Sequence, residues 1–302
     1  MELHQLRYVI ALARTRNFSR AAEQCNVAQP SLSQQVRKLE NELGEPLFER
    51  TKREARLTPQ GEAFVVRAQK ILAEVEAAQR DVSDAQKLVR GRVTVGILPT
   101  IAPYMLPPVV RAFTKKFPGT EIIVQEDTTA QLLKMVQAYE IDFAIASRPI
   151  TGEQLEVREL FSEELLLALP PRHALVRKRM IRPADLAGEN LIVMKEGHCL
   201  GDQTLGFCER RDLPFKIGFR SAQLETIQAL VYAGVGVSLV PAMAARGSRH
   251  HQPAYRHLPS PPPQRQIVAV WPAQRIMSRA AREFLELLCA PAKIRPEKSR
   301  PR

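Results

Sequence analysis

The sequence predicts an α/β fold: a small N-terminal helical module with a strand pair, one long linking helix, and a larger α/β domain of two lobes. Three observations carry that expectation. Apolar residues recur at helical spacing through three short segments before Gly44, a seam with spacings of four and three runs from Phe64 to Ala85, and strand-like and helix-like segments alternate from Val93 to Leu288.

Leu6, Val9, Ile10 and Ala13 mark one face of a first helix that breaks around Thr15-Arg16-Asn17. A short second helix near Ser19 to Cys25 carries Ala21 and Ala22, small enough for close helix contact, and Asn26-Val27-Ala28-Gln29 turns the chain into a third. Pro30 falls in the first turn of that third helix, where its missing N–H is harmless, and Leu32, Val36, Leu39 and Leu43 recur at helical spacing. The opposite face holds Gln29, Ser31, Ser33, Gln34, Arg37 and Lys38, donors and acceptors without a carboxylate, which suits base edges and phosphates in a major groove. Taken alone, that helix also reads as a solvated amphipathic helix in a small bundle. The order short helix, turn, polar helix favours a helix-turn-helix. Glu45 to Arg50 and Lys52 to Leu57 then read as a strand pair, a basic wing that puts Arg50, Lys52 and Arg53 beside the reading helix.

Thr58 offers an N-cap and Pro59 an N1 residue for the long helix. Its seam is Phe64, Ala68, Ile71, Val75, Ala78, Val82 and Ala85, which wants a partner helix. A seam half composed of alanine also suits a helix lying on its own domain. In a DNA-binding chain dimerisation is favoured, because two reading helices then meet two half-sites.

Val89-Arg90-Gly91-Arg92 reads as a hinge before a strand at Val93 to Ile97. A helix through Leu106 to Phe117, a strand at Glu121 to Gln125, a helix through Leu132 to Tyr139 and a strand at Asp142 to Ala146 follow, the alternation of a parallel sheet covered by helices. A second set comprises strands near Leu165 to Leu169, Leu191 to Met194 and Val237 to Val240 with a helix from Leu224 to Ala233; a strand at Ile267 to Val270 and a helix from Arg279 to Leu288 return to the first sheet. The expected domains are 1–58 for the winged helix-turn-helix, 59–89 for the linking helix, 92–290 for the two lobes and 291–302 for a basic, disordered tail. Ligands of open α/β sheets bind beyond the carboxyl ends of strands. Thr100, Thr129, His198 and Cys199 all follow strands, although each threonine also reads as a helix N-cap and His198 as a surface loop residue.

The chain has 302 residues, 45% hydrophobic and 25% charged, enough for two or more domains. It has no run of ~18 uninterrupted apolar residues, so no membrane span is expected. Met1 to Arg7 carries no secretory signature, and the cytoplasm is the expected location. The net charge of +12 does not itself argue for DNA, because residues 246–302 carry 12 Lys/Arg against 3 Asp/Glu while residues 61–245 carry 22 against 22. Cys199 and Cys208 share one polar stretch; in a reducing compartment such a pair suggests thiol chemistry, and spacing alone leaves sensor, catalyst, metal site and packing open. Cys25 and Cys289 read as small packing residues. No Cys-x2-Cys pair exists and His250, His251 and His257 lie in a loop beside Ser260-Pro261-Pro262-Pro263, so neither a metal nor a cofactor is expected.

Several blocks in order resemble the LysR-type transcriptional regulators: Leu6-Arg7-Tyr8, Asn17-Phe18-Ser19-Arg20-Ala21-Ala22, Gln29-Pro30-Ser31-Leu32-Ser33, Arg37-Lys38-Leu39-Glu40, Leu47-Phe48-Glu49-Arg50 and Leu57-Thr58-Pro59-Gln60-Gly61. Ala28 stands where that family usually has a Ser or Thr cap. The resemblance implies a two-lobed effector domain similar to periplasmic binding proteins, promoter DNA and RNA polymerase as partners, and assembly as a homodimer or homotetramer.

Gly197-His198-Cys199-Leu200, Asp202-Gln203 and Gly206-Phe207-Cys208, with Leu98-Pro99-Thr100, Leu224-Glu225-Thr226 and Leu239-Val240-Pro241, resemble the family's hydrogen-peroxide-sensing branch. Gly201 stands where an Arg is common there and Tyr139 where a Gly is usual. That resemblance implies that Cys199 attacks peroxide with Cys208 resolving it to a disulfide, that His198 and Arg265 favour the thiolate, and that Thr100, Thr129 and Asp202 orient peroxide and shuttle its proton. Two other readings stand beside it. One is a regulator that binds a small organic anion between its lobes; the other is a thiol peroxidase, against which the helix-turn-helix and the lack of a Cys-x-x-Cys both argue.

Overall fold

The computed structural model describes residues 1–50, 54–83, 91–211, 216–246 and 251–289. The chain divides into two compact units. In the first, α1 (Leu3–Thr15), α2 (Phe18–Gln24) and α3 (Gln29–Leu43) lead to strands β1 (Phe48–Arg50) and β2 (Ala55–Leu57) and to α4 (Pro59–Ser83). Helix α1 stops because Arg16 turns left-handed, φ 53°, and Asn17 starts α2 by accepting the Arg20 amide at 3.1 Å. Pro30 sits in the first turn of α3, Ala28 gives that helix no side-chain cap, and Gly44, φ 76°, ends it. Leu32, Val36 and Leu39 close the core with Val9, Leu12, Ala21, Leu47 and Phe48.

The wing is held to the reading helix from inside. Glu40 of α3 is buried and accepts the amides of Leu47 and Phe48 at 2.9 and 3.1 Å, satisfying the backbone where β1 begins. β1 and β2 pair antiparallel with Glu49 opposite Arg56. Thr58 caps α4 through the Gly61 amide at 2.9 Å, and Gly61 has no room for a side chain, since a Cβ would lie 2.0 Å from the Leu47 carbonyl oxygen.

The second unit opens with β3 (Gly91–Ile97), α5 (Ala102–Lys116), β4 (Thr120–Glu126), α6 (Thr129–Gln137) and β5 (Phe143–Ser147), with β3 parallel to both β4 and β5. Next come β6 (Leu155–Leu169), β7 (Asn190–Met194), α7 (Cys199–Glu209), β8 (Lys216–Ser221), α8 (Leu224–Tyr232), β9 (Ser238–Pro241), β10 (Ala254–Arg256), β11 (Gln264–Pro272) and α9 (Arg279–Cys289). β11 returns antiparallel to β5, and α9 covers the first lobe, where the Phe113 and Phe284 rings meet edge-on at 5.0 Å. β6 belongs to both lobes: residues up to Glu164 pair with β11, and Leu165 to Leu169 pair with β9 and β10. β7 and β8 run parallel in the second lobe, whose core includes Leu167, Leu191, Val193, Leu200, Phe207, Ile227, Val231 and Leu239.

The two-lobed α/β expectation therefore holds, with corrections in detail. The strand expected only at Leu165 to Leu169 begins at Leu155, because its first part alternates apolar residues with exposed charges along a sheet edge. β8 was not expected; five of its six residues are exposed and carry no apolar run. α5 starts at Ala102 rather than Leu106, since Pro103 occupies its first turn and Pro107 and Pro108 sit on its exposed side. The helix expected to run to Tyr139 stops at Gln137, and Tyr139 adopts φ 57° just after it. Lys52, Arg53, Ala85, Val89, Arg90, His250 and the basic tail lie outside the described residues, as do the side chains of Arg50 and Val82.

Candidate functional site

Cys199 is the first residue of α7, reached from the carboxyl end of β7 through Lys195 to His198. Its sulfur stands at the positive end of a helix, which favours a thiolate. The helix lies unusually tight on its strand: a Cβ at Gly201 would come within 2.8 Å of the Met194 carbonyl oxygen.

The first lobe contributes two hydroxyls. Thr129 begins α6 beyond β4, but the capping role belongs to its neighbour, because Thr128 Oγ1 accepts the Gln131 amide at 3.4 Å. Thr129 Oγ1 is buried and has no hydrogen-bond partner of good geometry among the described residues; its hydroxyl lies where it favours the Cys199 thiolate. Thr100, in the turn after β3, is buried and accepts a hydrogen bond from Arg265 through Oγ1 at 2.8 Å. Neither threonine is the helix cap that local sequence allowed.

Arg265 of β11 is only 1% exposed, so its charge must be met inside the protein. Nε donates to Glu163 Oε1 at 2.6 Å, and the second terminal nitrogen donates to the Thr100 carbonyl oxygen at 3.2 Å. Glu163, on β6, also accepts the Met243 amide through Oε2 at 3.2 Å. Sequence reasoning missed Glu163, which lies among charged residues of the unrecognised part of β6. No local signal in the sequence marks it, because the burial of Arg265 that calls for a carboxylate is itself a product of the fold.

Burial pushes the Cys199 thiol above its ordinary value; the Arg265 guanidinium, the Thr129 hydroxyl and the Leu200 amide oppose this, and the Asp202 carboxylate adds to it. Gln203 is a second residue that sequence reasoning left without a role. Its Nε2 donates to Ser147 Oγ at 2.8 Å and to the Arg148 carbonyl at 3.1 Å, fastening α7 to the end of β5, while its Oε1 is buried without a partner among the described residues. A thiol acted on by a guanidinium and a buried hydroxyl is a polar niche suited to a small hydroxylic molecule. His198 is half-buried at the N-cap, where its side chain caps nothing and is not among the groups that shift the thiol. Asp202 is exposed on the first turn of α7.

Cys208 sits on the same helix in a different environment. It is 3% exposed, beside Leu167, Leu186, Leu191, Phe207, Val237 and Leu239, and its thiol is pushed up to about 12, first by burial and then by the Glu209 carboxylate. All four cysteines are free, and Cys25 and Cys289 are half-buried. Among the described residues no group of three His, Cys, Asp or Glu could hold a metal ion, and no helix is long and apolar enough to cross a membrane.

In the first unit, Gln29, Pro30, Ser31, Gln34, Arg37 and Lys38 of α3 are exposed and Ser33 is half-buried, forming one polar face. The seam of α4 is divided. Ala68 is buried and Phe64 packs on the unit's own core, Val75 is half-buried, and Ile71 and Ala78 are exposed.

Residues 86–290 match the LysR substrate binding domain, and residues 3–62 match the bacterial regulatory helix-turn-helix protein of the lysR family. The chain is 37% identical over 282 residues to the DNA-binding transcriptional dual regulator OxyR of Escherichia coli strain K12, covering 92% of each chain. It is 36% identical over 276 residues to the hydrogen peroxide-inducible genes activator of Pectobacterium carotovorum subsp. carotovorum, covering 90% of each. Among solved structures, a full-length OxyR variant from Pseudomonas aeruginosa superposes with a TM-score of 0.79 at 31% identity, covering 96% of this chain and 93% of that one.

Proposed function

The chain belongs to the LysR family of bacterial transcriptional regulators, and from that premise we propose that it senses hydrogen peroxide through a reversible Cys199–Cys208 disulfide and controls oxidative-stress genes from promoter DNA. The observation that carries this reading is the niche at the start of α7, where the Arg265 guanidinium and the buried hydroxyl of Thr129 both favour the Cys199 thiolate. The relatives named for peroxide support the choice of signal.

The Cys199 thiolate attacks one peroxide oxygen and the O–O bond breaks; hydroxide leaves and takes a proton to become water, and Cys199 becomes a sulfenic acid. Cys208 then displaces that hydroxyl as a second water and the disulfide forms. Thr100 and Thr129 orient peroxide beside Arg265, with Asp202 at the rim to relay the proton. The residues separating the two thiols on α7 hold their Cα atoms roughly 13 Å apart at ~1.5 Å per residue, whereas a disulfide requires about 4.4–6.8 Å. Helix α7 must therefore unwind. Unwinding takes Cys208 out of its apolar surroundings, which lowers its pKa and lets it act as the resolving nucleophile.

The assembly is a homodimer or homotetramer in the cytoplasm, bound to double-stranded promoter DNA through α3 and the wing and working with RNA polymerase, with no chemistry turned over for its own sake. An organic-anion regulator is disfavoured because the charge of Arg265 is already balanced by Glu163. The test is a footprint on a promoter fragment with reduced protein and with protein treated with one equivalent of hydrogen peroxide, paired with peptide mass mapping. The expected result is a Cys199–Cys208 linkage together with a changed half-site pattern; a footprint unaltered by oxidation overturns the proposal.

A further inference from the structure

We propose that Glu163 is a positioning residue for the thiol site, holding the Arg265 guanidinium in the one orientation that serves Cys199 and tying that orientation to the second lobe through Met243. This inference rests on reading Cys199 as the reactive thiol.

Three facts of geometry support it. First, Arg265 has a fully buried side chain, and its Nε and one terminal nitrogen are fixed on the same Glu163 oxygen at 2.6 and 2.5 Å. The remaining hydrogen bonds of the guanidinium fall on the hydroxyl and the carbonyl of Thr100. A planar guanidinium held on both sides cannot turn about its stem. Second, Glu163 spends its other oxygen on the Met243 amide, directly after β9, so one carboxylate joins β11 of the first sheet to the second lobe. Third, Glu163 lies at the place in β6 where pairing passes from β11 to β9. A change in the relation of the strands there must move Glu163, and Arg265 with it.

The influence of Glu163 on the sulfur runs through Arg265. The groups facing Cys199 that alter its acidity are Arg265 from β11, Thr129 from α6, and Asp202 and the Leu200 amide from α7 itself; the Glu163 carboxylate is not one of them. Positioning and charge predict opposite signs. A carboxylate acting only as a charge opposes the thiolate, so removing it would make Cys199 more acidic. A carboxylate acting by holding Arg265 favours the thiolate, so removing it makes Cys199 less acidic.

The experiment measures the pH midpoint of Cys199 alkylation by iodoacetamide in the full-length chain, followed by peptide mass mapping, for wild type, Glu163→Ala, Glu163→Asp and Glu163→Gln. Positioning predicts a midpoint about one pH unit or more higher in Glu163→Ala. Glu163→Asp, too short to reach Arg265 and Met243 together, moves the same way. Glu163→Gln keeps an acceptor for Arg265 without the opposing charge, and its midpoint stays at or below that of wild type. If Glu163→Ala does not fold, the other two variants decide the question: a raised midpoint in Glu163→Asp with none in Glu163→Gln supports positioning, and an undisplaced Glu163→Asp overturns it. Midpoints below wild type in both Ala and Gln variants, or no displacement in any variant, overturn the proposal. Alkylation involves no peroxide, so failure of the peroxide reading leaves these midpoints interpretable.

Discussion

Cys199 and Cys208 share helix α7 but not an environment: Cys199 opens the helix beside Arg265 and Thr129, while Cys208 is 3% exposed in the apolar core of the second lobe. Bringing them together therefore costs both the helix and the burial of Cys208.

This predicts an order of events in peroxide-treated protein. Cys208 in native reduced protein resists alkylation at neutral pH, and becomes reactive once Cys199 is oxidised and α7 unwinds. In Cys208→Ser a sulfenic acid on Cys199 accumulates and is trapped by dimedone; Cys199→Ser does not respond to peroxide. Mass mapping of each variant checks this, and ready alkylation of Cys208 in reduced native protein would contradict it.

The pH dependence follows from the thiol shifts. Burial holds the Cys199 pKa above its ordinary value, so the thiolate is the minor form at neutral pH and the rate of Cys199 alkylation rises about tenfold per unit between about pH 6 and pH 8. A plateau below about pH 7 would show the opposite shift. For Cys208 the folded pKa is raised from 9.0 to about 12. The stability it contributes is therefore complete below the unfolded value and is lost as pH rises through the interval between the two. Urea midpoints measured across that interval should fall more in wild type than in Cys208→Ala.

Gly201 is held against the Met194 carbonyl, with 2.8 Å for any added Cβ. Gly201→Ala gains up to about 1 kcal/mol of helix propensity, but overpacking against a main-chain oxygen costs about 1–3 kcal/mol. The expected net effect is a loss of about 1 kcal/mol in urea unfolding. Because the strain falls on α7 in its helical state, the disulfide should also form at a lower peroxide dose than in wild type.

On α3, Arg37 is exposed on the polar face beside Gln34 and Lys38. Arg37→Ala should weaken promoter binding and, where the guanidinium meets a phosphate, reduce the slope of log affinity against log salt by about 1. Fluorescence anisotropy over a salt series reads both effects.

Ile71 is 39% exposed on α4, an apolar position that the first unit leaves uncovered. Ile71→Glu is expected to shift the protein from dimer toward monomer in sedimentation velocity with the helix content unchanged, because a charge on a coiled-coil seam opposes pairing more than it opposes the helix.

The helix-turn-helix was legible residue by residue, since its helices are set by local devices: the apolar spacing of α3, the Asn17 cap of α2, and Thr58 with Pro59 at the start of α4. The βα order of the larger domain was legible for the same reason, because its buried strands are short apolar runs. The first part of β6 and all of β8 were not, as strands with one exposed side carry too few apolar residues to stand out from loops. In the candidate site the thiol pair, the two threonines and Arg265 could be named from the sequence. Only the tertiary structure decided that Arg265 is buried, that Glu163 and Thr100, 102 and 165 residues away, hold it, that Gln203 fastens α7, and that the buried Thr129 hydroxyl acts on the Cys199 thiol. Local pattern fixes which residues lie at strand ends. Which of those ends meet, and how much charge must be satisfied where they do, depends on β6 and β11 bringing distant segments together, and no local spacing encodes that.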